Sequence, residues 1–149
     1  MLRRNHDDRF VRLIEQSSFT AYETFINYGG CETLENYGLK QTSSIQHIAE
    51  FIRQEFMDHI EFLKSTRWYY EDKHYIYVHA GLNPVFKNWR DQPKEDFFTI
   101  REVFLNQNTV VNKLVVFGHT KTRDIYGLDA IWFSSDKIGI DGDAHMAIN

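Results

Sequence analysis

The sequence predicts an α+β fold, with helices mainly in the first half and strands in the second. Up to Lys64 the apolar residues recur at the three- and four-residue spacing of a helix face. From Trp68 onward they gather instead into short runs rich in β-branched and aromatic side chains, the pattern of buried strands. Size is the third observation: 149 residues, 42% hydrophobic and 15% aromatic, can bury the core of one domain but hardly of two.

The elements follow in order. Phe10, Leu13 and Ile14 give a helix over residues 8–16, and Tyr22, Phe25 and Ile26 a second over 20–28, which Gly29-Gly30 stops. Ser44 caps a longer helix through Phe56, with Ile45, Ile48, Ala49 and Ile52 inward; residues 59–64 continue or restart it. Strands are expected at 68–71, 75–78, 114–117, 130–134 and 137–140, with Asp136 near the turn that joins the last two. Residues 83–98 hold both prolines and read as a loop, followed by a short helix over 99–105. No internal repeat or low-complexity tract interrupts this order.

Charge and cysteine usage narrow the setting. A net charge of -4 without a Lys/Arg-rich run argues against a broad nucleic-acid or anionic-membrane surface. Cys31 is the single cysteine, so no intrachain disulfide forms, and neither a signal peptide nor an apolar run of membrane length is visible. A reducing cytoplasm is the default compartment.

The chemistry concentrates in three histidine-bearing turns: Asn5-His6-Asp7, His79-Ala80-Gly81-Leu82 and Gly118-His119-Thr120. The last two directly follow apolar strand-like runs, which puts their ligands at strand carboxyl ends, where open α/β sheets build their active sites. His79 and His119 offer imidazole nitrogens and Asn5 a carboxamide oxygen, a mixed set suited to Mn, Fe or Zn rather than Ca. Three protein ligands leave positions open for water and substrate, as a catalytic metal requires. His6, beside Asn5, is a candidate general acid for the leaving oxygen. Gly81 and Gly118 flank the two histidines with residues that let backbone approach a metal-phosphate centre. Taken singly, a histidine after a strand is more often structural than a ligand, and His47, His59, His74 and His145 read as surface or structural residues.

Taken together the turns resemble the bacterial branch of the phosphoprotein phosphatases, the serine/threonine protein phosphatase relatives within the calcineurin-like metallophosphoesterases. Leu2-Arg3-Arg4-Asn5-His6-Asp7 is similar to that family's L-x-G-N-H-E/D turn, and Gly29-Gly30-x-x-Thr33-Leu34-x-x-Tyr37-Gly38 to its G-G-x-x-T-L-x-x-Y-G segment. Tyr69-Tyr70-Glu71, Val78-His79-Ala80-Gly81-Leu82-x-Pro84, Ile100-Arg101-Glu102-x-Phe104-Leu105, Val116-x-Gly118-His119-Thr120 and Ile138-Gly-Ile-Asp141-Gly142 continue the register over nearly the whole chain. The resemblance implies a partial α/β/β/α sandwich and hydrolysis of phosphomonoesters by a metal-bound hydroxide. It implies that Asn5, His79 and His119 bind metal and that His6 is the general acid. It also implies that Arg101 grips the substrate phosphate, a task suited to a guanidinium fork; the plainer reading of Arg101 is a solvated helix residue.

Departures from the family set further expectations. Its G-D-x-H-G and G-D-x-V-D-R-G segments are not found in these 149 residues, Arg4 stands where glycine is usual, and the family's pattern runs on past Asn149. The expectation is one metallophosphatase-like domain over residues 1–149, shortened at the N-terminus and slightly at the C-terminus. At most one of the family's two divalent transition metals is expected here, with weak or no hydrolysis. Self-association through exposed strand edges is also expected. The partner is a phosphorylated protein or small phosphoester, with no nucleic acid and no membrane. A symmetrical bis(5'-nucleosyl)-tetraphosphatase-like hydrolase is the enzymatic alternative, and a non-catalytic remnant or interaction module the alternative of another class.

Overall fold

The structure, a computed structural model, describes residues 1–142; His145 lies outside them. The chain gathers into two compact units, one of helices from Arg4 to Thr66 and one built on a sheet from Met1–Arg3 and Arg67 onward. Mixed α+β architecture, helices before strands, is therefore present as expected.

The helical unit contains α1 (Asn5–Gln16), α2 (Phe19–Asn27), α3 (Gly30–Asn36), α4 (Ile45–Glu55) and α5 (Met57–Ser65). Side-chain caps set two of the starts: Ser18 Oγ accepts from Ala21 N at 3.3 Å, and Ser44 Oγ from His47 N at 3.2 Å. At α1 the Asp7 carboxylate accepts from Arg4 N at 3.0 Å, satisfying a donor at the helix entry. The inward face expected of α4 is buried, with Ile48, Ala49 and Ile52 inaccessible to water. Ile48 and Ile52 pack with Phe10, Leu13, Ile14, Phe25, Leu34 and Ile60 into one apolar core.

α3 corrects the reading of the double glycine as a plain stop. Gly29 does terminate α2, at a left-handed φ of 84°, but Gly30 immediately opens a new helix. Gly30 is there for want of space: an added Cβ would sit 2.6 Å from the Phe25 carbonyl oxygen and against the Phe25 ring.

The sheet unit carries β1 (Tyr69–Glu71), β2 (Tyr75–Val78), β3 (Leu114–Phe117), β4 (Trp132–Phe133) and β5 (Lys137–Gly139), in the order β1-β2-β3-β5-β4. The strands β2, β3 and β5 run parallel in the centre, and antiparallel β1 and β4 form the edges. Buried and half-buried residues alternate along β2 and β3, placing Ile76, Val78, Val115 and Phe117 in a core with Leu82, Trp89, Phe97, Phe98 and Phe104. The turn at Asp136 joins β4 to β5 as expected, with Ser134 N donating to Lys137 O at 2.9 Å. Leu2 adds a parallel bridge to Arg67. Exposed apolar residues sit on both edge strands, Tyr70 on β1 and Phe133 on β4.

Two sequence expectations change here. The region 83–98 is not all loop, since Trp89–Asp91 forms a 3₁₀ turn and the helix α6 (Asp96–Thr99) begins within it. The single helix expected over 99–105 is split into α6 and α7 (Glu102–Asn106), broken at Ile100 and Arg101. A further short helix, α8 (Thr122–Tyr126), follows the third histidine turn.

Candidate metal centre

Parallel pairing brings the two strand-end histidine turns to one level. Tyr77 of β2 lies opposite Val116 of β3, so two residues further on His79 lies beside Gly118, and Gly118 N donates to His79 O at 2.9 Å. The imidazoles of His79 and His119 stand with ring centroids 5.0 Å apart. An imidazole bound at about 2.0–2.1 Å puts its centroid about 3.2 Å from an ion, so two rings on one ion at ordinary ligand angles lie about 4.5–5.2 Å apart. The observed spacing falls in that range, which is also a distance at which aromatic rings pack.

Arg101 joins them. Its Nε donates to His119 Nε2 at 3.2 Å, so that nitrogen is the unprotonated acceptor. A cation on His119 would either displace the guanidinium from Nε2 or bind through Nδ1. Arg101 is solvent-exposed, and it serves as the N-cap of α7 rather than lying within a helix.

Backbone strain marks the histidine of this hydrogen bond. His119 has φ 64°, and Thr120 N donates to Gly118 O at 2.6 Å, which together describe a γ-turn of the rare positive-φ kind centred on the histidine. Non-glycine residues are held in such conformations only where the surroundings over-determine them, and such positions cluster at functional sites. The Thr120 hydroxyl is buried without a hydrogen-bond partner, a further departure from ordinary packing at this turn.

The third parallel strand contributes a residue to which sequence reasoning gave no role. Phe117 pairs with Gly139, so the chain past β5 arrives at the level of His119 with Asp141. The Asp141 carboxylate lies 3.8 Å from where a Gly118 Cβ would be, and the Asp141 carbonyl accepts from Thr122 N at 2.8 Å. The available signal was positional: an acid two residues past the third strand of a parallel set.

The glycines beside the histidines need correcting. Gly81 is buried, and an added Cβ would lie 2.5 Å from Phe104 Cγ and 2.9 Å from Ile100 Cγ2, so it serves close packing against α7. Gly118 would meet only ordinary contacts, the nearest at 3.7 Å.

Asn5 and His6 belong to the helical unit. They form the first turn of α1, a helix start rather than a free turn. Asn5 is buried and His6 exposed. Partial desolvation pushes the His6 imidazole below its ordinary value, Arg9 and Arg4 add to the fall, and Asp7 opposes it. His47, His59 and His74 are exposed, as expected, and His59 Nδ1 hydrogen-bonds the Tyr37 hydroxyl at 3.0 Å.

Among the described residues no group of three or more His, Cys, Asp or Glu side chains is arranged to hold an ion. None of their helices is long and apolar enough to cross a membrane. No family model, curated protein or solved structure matches the chain.

Proposed function

We propose that the chain carries a phosphoesterase centre of the serine/threonine protein phosphatase type, with His79 and His119 as imidazole ligands of a divalent transition metal. One observation carries the reading: two histidines forty positions apart in sequence meet at the ends of adjacent parallel strands, with an arginine hydrogen-bonded to one of them. The resemblance adds Asn5 as the third ligand and His6 as the general acid. The mixed nitrogen and oxygen donor set suits Mn, Fe or Zn. Such an ion, when bound, lowers the pKa of a coordinated water and polarises a phosphoryl oxygen.

The chain's own groups do the rest. Arg101 offers a planar fork of donors to a tetrahedral phosphate, and its present bond to His119 keeps that fork at the ligand's edge. His6, beside Asn5 at the start of α1, is the group the resemblance assigns to deliver a proton to the leaving oxygen. Turnover is expected to be slow, because these residues supply donors to one metal where the family uses two.

The test is metal content and Mn-dependent hydrolysis of an aryl phosphate by the full chain. One tightly bound ion per chain, lost in both His79→Ala and His119→Ala, supports the centre. Arg101→Ala should raise KM at least about tenfold with metal retained, the loss of a charge-assisted pair. Substoichiometric metal with no turnover would replace this reading with a non-catalytic module, and faster cleavage of a dinucleoside tetraphosphate than of a phosphopeptide would move the substrate to the dinucleotide.

A further inference from the structure

Away from the strand-end histidines, the helical unit contains a small cavity of about 130 Å³ between α1 and α2, lined by Arg9, Arg12, Gln16, Thr20, Ala21 and Thr24. Its residues follow helical spacing: Arg9, Arg12 and Gln16 share one face of α1, and Thr20 and Thr24 one face of α2. Apart from Ala21 every lining side chain can donate a hydrogen bond, and none is a carboxylate. Donors converging without an acidic acceptor describe a pocket for an anion.

An orphaned group sharpens this. Arg9 Nη1 is buried and has no hydrogen-bond partner. The guanidinium carbon lies 3.8 Å from the centroid of the Tyr28 ring, which covers one side of the cation but leaves its in-plane donors needing acceptors. Partial burial lowers the Arg9 pKa against the opposing pull of Tyr28 and Asp8. A buried donor left unpaired is costly, and more so when charged. Asp8 is shared between the two arginines, with Arg12 Nε at 2.6 Å from Asp8 Oδ2 while its charge also attracts Arg9.

We propose that this cavity binds a tetrahedral oxyanion of the phosphate class, held by Arg9 and Arg12 with the Thr20 and Thr24 hydroxyls. At about 130 Å³ the cavity is well below what a drug-sized ligand needs, which restricts it to a small ligand. Four of the five polar lining residues, Arg12, Gln16, Thr20 and Thr24, are exposed, so the mouth is open to solvent, and Arg9 is the half-buried one. The site belongs to the helical unit alone and does not depend on the phosphatase reading.

The experiment is titration of the full chain with inorganic phosphate at constant ionic strength, followed by calorimetry and by amide NMR shifts of residues 9–24, with O-phosphoserine and chloride as parallel probes. Carrying it out in the His79→Ala, His119→Ala double variant separates this site from any phosphate held at the candidate metal centre. Saturable binding, with shifts centred on Arg9 and Thr24 and an affinity falling at least about tenfold in Arg9→Met, is the expected result. Thr24→Val, on an exposed face where the fold does not depend on the side chain, should weaken binding by about three- to tenfold and decides the matter if Arg9→Met does not fold. Equal binding of O-phosphoserine assigns the ligand as a phosphoryl group on a side chain as well as free phosphate; weaker binding restricts it to free phosphate. No saturable binding up to about 10 mM, an equal response to chloride, or unchanged affinity in Thr24→Val overturns the proposal.

Discussion

The helical unit and the sheet unit both bury apolar side chains, but they place their polar chemistry differently. In the helical unit the core is aliphatic and aromatic, and its polar pocket lies on the surface between α1 and α2. In the sheet unit a cation is buried within the fold: Lys137 is 2% exposed, with Nζ bonded to Gln107 O at 2.9 Å and to the two Asp136 oxygens at 2.9 and 3.0 Å. The sheet unit also carries a strained backbone at the γ-turn of His119. Amphipathic helices can be satisfied by local rules, whereas parallel strand ends are assembled from distant segments whose turns must conform to one another.

All three tryptophans, Trp68, Trp89 and Trp132, lie in the sheet unit, so their fluorescence reports on it while far-UV circular dichroism is weighted to the helices. Phe104 is buried edge-on against Phe117, with centroids 5.0 Å apart, and Phe104→Ala should lower the fluorescence-detected stability by about 3–5 kcal/mol. Ile52→Ala should lower the dichroism-detected stability by about 2–5 kcal/mol. If each substitution moves only its own probe, the units unfold separately; a common shift in both probes would break the comparison by making them one cooperative body.

The buried ion pair comes next. Lys137→Met leaves Asp136 without its cation and should cost about 3–5 kcal/mol by urea denaturation, a loss found in the fluorescence transition. The same group gives the sheet unit an acid limb. Burial would raise the Asp136 carboxyl, but donation from Thr109 N, Lys137 and Ser134 outweighs it and holds the group below its ordinary value. Its contribution is therefore fully present above the unfolded value, near pH 4, and is lost as pH falls through the lower folded value. Asp136→Asn should flatten that limb; an unchanged acid profile would remove Asp136 from the account.

Smaller effects test packing and strain. Gly81→Ala drives a methyl into Phe104 and Ile100 and should cost about 1–3 kcal/mol, with metal content retained if the glycine serves packing alone. His119→Gly relieves the positive φ and should change stability by about 1 kcal/mol in the favourable direction while abolishing metal binding. Loss of stability instead would mean that the imidazole itself holds the turn.

Much of the fold was legible because its patterns are local. The strands Tyr75–Val78 and Leu114–Phe117 match the sequence reading residue for residue, since a short β-branched run between polar turns admits few alternatives. The helix after Gly29 was hidden because two glycines read as a break, and only the closeness of Phe25 shows why the second must lack a side chain. The division at Ile100 and Arg101 was also invisible, since helix propensity continues across it while the observed backbone of Arg101 does not. At the candidate centre, His79, His119 and Arg101 were named from their motifs, but Asp141 was passed over because its proximity to Gly118 depends on strand order.

By itself the sequence determined the longer helices and the central strands, which of their faces turn inward, and which residue types can ligate a metal. These follow from periodicity and side-chain chemistry, and both act over a few neighbouring residues. Tertiary structure alone decided that β2, β3 and β5 run side by side, that the ends of β2 and β3 bring His79 and His119 to 5.0 Å, and that the second backbone is bent into a γ-turn to do so. The reason is that strand neighbours are chosen by burying both faces of a sheet against segments far apart in the chain, a constraint that no short window of residues contains.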